Sequence, residues 1–371
     1  MLSSRQDSSQ ASDAKYYVGL SLLPGIGPVR LSRLIDLCGS AEAAWQAPGV
    51  ILRRAGVEER AVEGVLARRA TIDVDGELDR VYRAGARVIT TVDEDYPALL
   101  RETFGHPAIL YVRGELKVED SQALAVVGTR RPSLYGQTMV AQTVPALVER
   151  GLTIISGLAV GIDTLAHRHA LQAGGRTVAV LGSGLDVLYP SQNRGLADRI
   201  CENGAVITEY AMGTQPDAFN FPARNRIISA LALGTVIIEA GYKSGALRTA
   251  GYAVEQNREV FAFPGRTNDP QSVGCNRLIK RGHAKLVTDT EDIVDELNLT
   301  VAMQQIEIKH VIPENDQEGQ ILALLSAEPV HVDDLGRRSE LSMADISSTL
   351  TMLELKGTIR HVGSMHYVLA H

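Results

Sequence analysis

LAVVGT (Leu124–Thr129) is the first of seven short apolar runs that decide the fold. It is followed by TIISG (Thr153–Gly157), TVAVLGSG (Thr177–Gly184), AVITEY (Ala205–Tyr210), TVIIEA (Thr235–Ala240), EVFAFPG (Glu259–Gly265) and KLVTD (Lys285–Asp289). The runs are apolar at successive rather than alternate positions, so both faces of each strand must be covered. Between them lie stretches with helical spacing, among them Val140–Glu149, Ile162–Ala173 and Leu247–Asn257. Strands alternating with helices predict an α/β domain over residues 116–299, built on a central, doubly wound, Rossmann-like parallel sheet. The ligand of such a sheet sits where strand C-termini meet helix N-termini. The glycines and polar side chains of this region fall just after the strands.

Outward from that centre the pattern changes. From Tyr16, the residues VGLSLLPGIGPVRLSRLIDLCGS read as a helix, a Pro-Gly-Ile-Gly turn and a second helix closed by Gly39. Gly25 and Gly27 set backbone N–H groups at the start of the second helix, where they can hold a DNA phosphate. An ordinary αα-hairpin is the other reading, because the flank offers only Arg30 and Arg33. Further helices and the strand-like ARVIT (Ala86–Thr90) and AILYV (Ala108–Val112) complete an N-terminal helical (helix-hairpin-helix/SAM-like) domain over 15–115. Residues 1–14 are polar and aperiodic and read as a disordered arm, and 300–315 as a linker. Residues 316–371 show three helical patterns, Gln317–Leu325, Val332–Arg338 and Met343–Lys356, then a hairpin, which together predict a C-terminal winged-helix domain. This module holds 4 basic and 8 acidic residues. A contact with protein is therefore favoured over one with DNA phosphate.

The length of 371 residues and 45% hydrophobic content suit two or three globular domains. No apolar stretch is long enough to span a membrane, and the polar start MLSSRQDSSQASDA lacks a signal-peptide core, so a cytoplasmic protein with no membrane partner is expected. Cys38, Cys201 and Cys275 show no CxxC spacing, which argues against a disulfide framework and against a metal site. The net charge of −7 speaks against nucleic acid until it is divided. Ser121–Asn298 carries 17 basic and 16 acidic residues, and the rest of the chain 20 and 28. A locally positive surface in the middle segment is thus compatible with the overall charge.

The dinucleotide fingerprint GxGxxG fails after the early strands: Gly128-Thr-Arg-Arg-Pro follows the first and Gly182-Ser-Gly-Leu-Asp-Val the third. No Walker A sequence occurs, so no nucleotide cofactor is expected. Five polar clusters stand at the strand ends instead. They are Gly128-Thr129-Arg130-Arg131; Ser156-Gly157 with Asp163 and His167; Asp186 with Tyr189; Phe221 with Arg224, Asn225 and Arg226; and Lys243-Ser244-Gly245. Arginine forks, oriented backbone N–H groups and rings are the means by which single-stranded nucleic acid is held. For Arg224 and Arg226 the competing reading is a pair of structural salt bridges. For Asp163 and His167 it is loop fixation, and Tyr189-Pro190 reads as packing. Asp163, His167, Asp186 and Glu209 also raise a second function, a Rossmann-type nucleotide-processing hydrolase. However, the PGGxGTxxE pattern of related glycosidases is replaced here by Gly241-Tyr-Lys-Ser-Gly-Ala-Leu-Arg-Thr, without the catalytic Glu.

GTRRPSLYG, SGLAVGIDTLAH, GLDVLYPSQN, FPARNRIISAL and KSGALRTAGYA, taken in order, closely resemble the DNA-processing protein A (DprA/Smf) family, and the likeness covers nearly the whole chain. The resemblance implies a homodimeric, non-enzymatic mediator of natural transformation (competence) and DNA recombination. Such a protein binds incoming single-stranded DNA, limits the action of single-stranded DNA-binding protein (SSB), and loads RecA. It further implies that Arg130 binds phosphate, that Phe221, Arg224, Asn225 and Arg226 line the DNA pocket, and that Lys243, Ser244 and Gly245 form another pocket loop. No catalytic residue, cofactor or metal is implied. In some relatives a lysine stands shortly before the Phe; here Met212–Asn220 contains no base.

Overall fold

All seven apolar runs become strands, and two more strands join them. The computed structural model describes residues 13–297, 316–325, 330–339, 341–355, 359–361 and 365–369. They form two compact units, Met1–Val294 and Asp295–His371. The predicted linker 300–315 and most of the arm 1–14 lie outside the described residues. Asp13 belongs to a helix, and its carboxylate accepts the Glu42 N–H at 3.1 Å.

The first unit opens with α1 (13–21) and α2 (Pro28–Cys38), joined by the Pro-Gly-Ile-Gly turn. Gly39 ends α2 in the left-handed conformation at φ 83°, as its C-cap position demands. The short helices α3 (Ala41–Gln46), α4 (Gly49–Arg54), α5 (Glu59–Arg69) and α6 (Val74–Arg83) follow. Then come β1 (Ala86–Thr90), α7 (Ala98–Arg101) and β2 (Ile109–Gly114). The alternating region contains β3 (Ala123–Val127), α8 (Leu134–Glu149), β4 (Thr153–Ser156), α9 (Ile162–Gln172), β5 (Thr177–Val180), α10 (Arg194–Glu202) and β6 (Gly204–Thr208). It closes with α11 (Asn220–Ala230), β7 (Gly234–Ile237), α12 (Ala246–Glu255), β8 (Glu259–Ala262), α13 (Val273–Lys280), β9 (Lys285–Leu286) and α14 (291–297).

One nine-stranded sheet runs through the unit in the order β1-β2-β6-β5-β4-β3-β7-β8-β9. Its pairs from β6 to β9 are parallel, whereas β1–β2 and β2–β6 are antiparallel. The strands grouped by sequence with the N-terminal helices therefore extend the central sheet. Tyr111 of β2 is fully buried, and its hydroxyl is 2.8 Å from Ser21 Oγ of α1. Leu20, Leu34 and Val81 of the helical region share one core with Tyr111, Leu181 and Val206 of the sheet, so no solvent boundary separates the two at residue 115.

The second unit has α15 (Asp316–Leu324), β10 (Val330–His331), α16 (Val332–Arg338), α17 (Met343–Leu355), β11 (Ile359–His361) and β12 (His366–Leu369). The strand order is β10-β12-β11, antiparallel throughout. Ile321, Leu335, Ile346, Leu350, Leu353 and Ile359 make its core. This is a winged helix, as the spacing predicts; the two-residue β10 is too short to show in the sequence.

Candidate functional site

The chain runs from β3 outward through β4, β5 and β6, then returns to place β7 on the other side of β3. That reversal is the topological switch point, where a crevice opens beyond the strand ends. The loop after β3 carries Gly128, Thr129 and Arg130, and the loop after β7 carries Lys243, Ser244 and Gly245. Gly161 fastens the first loop to the start of α9. It has φ 93°, and a Cβ there would lie 2.4 Å from the Thr129 carbonyl oxygen. The neighbouring Ile162 N–H donates to that carbonyl at 3.1 Å.

The crevice is a groove of about 860 Å³. Its walls include Gly128, Thr129 and Arg130, the α11 residues Phe221, Arg224 and Asn225, and Lys243, Ser244 and Gly245. A deeper recess of about 260 Å³ shares Arg130, Tyr189, Phe221 and Arg224, over an apolar floor that includes Leu158 and Leu181. The Tyr189 and Phe221 rings stand 5.5 Å apart at 44°, and the Arg130 guanidinium lies 6.0 Å from the Phe221 ring centre. Asn225 Nδ2 donates to the Gly245 carbonyl at 3.5 Å, which ties the two walls together. Tyr189 is 49% exposed and faces the groove, although the sequence reads Tyr189-Pro190 as packing. The available signal was its position after a strand end.

Arg224 sets the electrostatics. It is only 4% exposed, and its Nε and Nη1 have no hydrogen-bond partner. Burial lowers its pKa to about 10, against the opposing effect of nearby Asp163, so it stays cationic at neutral pH. Asp163 is likewise buried, and desolvation raises its carboxyl above the usual range. Gly157 makes room for both: a Cβ there would lie 2.4 Å from Asp163 Oδ2 and 2.8 Å from Arg224 Nη2. A buried guanidinium with unused donors is costly unless an acceptor comes to it, and a phosphate or a base carbonyl is such an acceptor.

Other residues singled out from sequence lie outside the groove walls. Arg226 pairs with the buried Glu209 at 2.5 Å, so of the two arginines on α11 one enters the site and the other is a salt bridge. Arg131 is exposed beyond the groove. Ser156 is fully buried and donates to the Val126 carbonyl at 2.7 Å, and Gly157 accepts from His167, so both support the site from behind. Asp186 is held by Arg80 at 2.8 Å and by the Gly213 N–H at 2.7 Å. Of the acidic set behind the hydrolase reading, Asp163 alone borders the groove.

His167 bridges Thr177 Oγ1 and the Gly157 carbonyl, each at 2.6 Å, and burial pushes its pKa down to about 4. The folded chain thus holds this imidazole neutral, while the unfolded chain protonates near 6.5. The associated stability is complete above pH 6.5 and is lost as pH falls towards 4, by roughly 3 kcal/mol. Urea unfolding at pH 7 and 4.5 should record that fall, and His167→Gln should flatten it. An unchanged pH slope in that variant would assign the fall to other groups.

Fold and site define a Rossmann-type protein whose switch-point crevice is cationic and ring-lined, followed by a winged helix. The model for DNA recombination-mediator protein A matches residues 87–298, and that for the DprA winged helix domain matches 311–364. Protein Smf of Synechocystis sp. is 33% identical over 96% of this chain and 98% of its own length. DNA processing protein DprA of Streptococcus pneumoniae is 46% identical over 55% of this chain and 72% of its own length. The X-ray structure of that protein superposes with a TM-score of 0.66 at 38% identity, covering 76% of this chain and 96% of that one. A Helicobacter pylori DNA processing protein A, whose structure is described for its single-stranded DNA binding mode, gives 0.52 at 28% identity over 58% of this chain and 96% of its own. The chain belongs to the DNA recombination-mediator protein A family (DprA/Smf). Among the described residues, no helix is long and apolar enough to cross a membrane.

Proposed function

We propose that the switch-point crevice binds single-stranded DNA and that the chain is a recombination mediator of natural transformation, acting in the cytoplasm as a homodimer. On this reading it protects incoming DNA, limits its sequestration by SSB and loads RecA. The observation that carries the reading is Arg224, buried with two unused donors at the base of a groove walled by Arg130, Tyr189 and Phe221. The proposed DNA contacts are Gly128, Thr129, Arg130, Phe221, Arg224, Asn225, Lys243, Ser244 and Gly245. Support for a polynucleotide over a nucleotide cofactor comes from the missing fingerprint and from the length of the groove, which extends past the recess to Lys243 and Arg248. The similarity to the Helicobacter pylori protein supports the single-stranded choice. We read the chain as a binder rather than a catalyst, since Asp186 and Glu209 are tied to arginines away from the groove.

Fluorescence anisotropy of labelled oligo-dT and of a matching duplex, over a salt series without ATP, tests this reading. Salt-sensitive binding that favours the single strand is expected. Arg130→Ala should lower affinity and reduce the slope of log K against log salt by about one unit per lost phosphate contact, roughly 0.7 for a single strand. An unchanged slope would remove Arg130 from the interface.

A further inference from the structure

Two aromatic rings on the rims of the groove take no part in the contacts described so far. Phe219 precedes α11, one residue beyond the lining residue Ala218, and is 85% exposed. Its backbone is held firmly: Asp217 Oδ1 accepts the Phe219 N–H at 2.7 Å, and the Asp217 carbonyl accepts that of Asn220 at 3.1 Å. The ring is thus presented to solvent from a fixed turn. On the β7 side stands Tyr242, 60% exposed and itself a lining residue, with the Arg277 guanidinium 4.9 Å from its ring centre. That cation shields one face of the ring from water and keeps positive charge beside it. The two rings therefore flank the inner pair Tyr189–Phe221 on separate walls, one on the loop entering α11 and the other on the loop leaving β7.

We propose that Phe219 and Tyr242 are base-stacking platforms for single-stranded DNA leaving the groove, so that the contact extends beyond the recess onto both rims. The inference rests on the single-stranded DNA reading and deepens it. An exposed ring costs little folding stability to keep and offers a π-face that any base can cover, which gives affinity without sequence preference. The missing base in Met212–Asn220 fits this arrangement, because a stacking ring at the rim holds DNA where no cation is available. Stacking also differs from phosphate contact in what it requires of the ligand, since a strand without bases cannot use it.

The test compares full-length parent, Phe219→Ala, Tyr242→Ala and Phe219→Trp on labelled dT20 and on an abasic oligomer with the same number of phosphates. Phe104, 96% exposed in the loop after α7 and absent from the groove walls, supplies the control variant Phe104→Ala. Phe219→Ala and Tyr242→Ala should each weaken dT20 binding about tenfold and leave abasic binding unchanged. Phe219→Trp should retain parent affinity and show indole quenching when dT20 is added, whereas Phe104→Ala should change nothing. Equal losses on both ligands, or parent affinity in the alanine variants, would overturn the proposal. So would loss of self-association by size-exclusion chromatography at unchanged DNA affinity, which would make the rings protein contacts. A parent that binds neither oligomer defeats the underlying reading, whereas a parent that binds dT20 indifferently to both rings defeats this inference alone.

Discussion

Arg224→Met lowers affinity for single-stranded DNA about a hundredfold and leaves the fold as stable as before or more so. The guanidinium is 4% exposed, with Nε and Nη1 unpartnered, so in the free protein its burial is a cost. Met matches its length, removes the uncompensated charge and packs well against the apolar floor at Leu158 and Leu181. Asp163 loses its neighbouring cation in the exchange, but desolvation already favours its protonated form and eases that loss. Binding behaves in the opposite way. Charge-assisted hydrogen bonds contribute about 1.5–3 kcal/mol each, and forfeiting roughly 3 kcal/mol in total gives the hundredfold change. Anisotropy titration and urea unfolding on the same preparation measure both effects. Affinity lost together with stability would mark Arg224 as structural, and affinity retained would move the DNA elsewhere.

The second large effect concerns Arg226, two residues further along the same helix. Its partner Glu209 is buried, and Arg226 itself is mostly so. Glu209→Gln leaves that cation buried without its counter-charge and is expected to cost about 3 kcal/mol of folding stability, because breaking one side of a buried pair is worse than losing both. The double variant Glu209→Leu with Arg226→Leu should recover most of the loss. Single-stranded DNA affinity should remain near the parent value in both, measured at a temperature where each is folded. A selective fall in affinity in the double variant, with stability restored, would show that Arg226 leaves its ion pair to meet the DNA.

These two arginines show how far the chain can be read without its structure. Their spacing of two places them about 200° apart around α11, so they cannot both face one crevice. Sequence offers both as forks for phosphate and both as salt-bridge partners. Which face turns inward depends on Glu209 of the loop after β6 lying beside one of them and on the switch-point crevice lying beside the other. Tyr189 behaves similarly. Its neighbours Asp186 and Pro190 read as loop fixation, and only the approach of Phe221 from a different crossover makes its ring a groove wall.

The strands were legible for a local reason: continuous apolar runs of four to six residues between helical spacings can be satisfied only inside a two-sided parallel sheet. β1 and β2 were legible as strands but not as members of that sheet. Antiparallel pairing of Ala86–Thr90 with Ile109–Gly114, and of β2 with β6, is a long-range contact that no local periodicity encodes. The winged helix was legible because its helices carry their own apolar stripes, whereas the two-residue β10 forms only by pairing with β12.

The sequence by itself therefore determined the doubly wound sheet, the winged helix, the family, and the rim of loops on which the site stands, since apolar runs and strand-end glycines act through neighbours along the chain. Only the tertiary structure decided which polar groups on that rim are used up and which are free. Arg226, His167, Asp186 and Glu209 are satisfied by partners far away in sequence, and Arg224 is left with unused donors at the bottom of the groove. The physical reason is that hydrogen-bond satisfaction in a buried site is a property of everything packed around it.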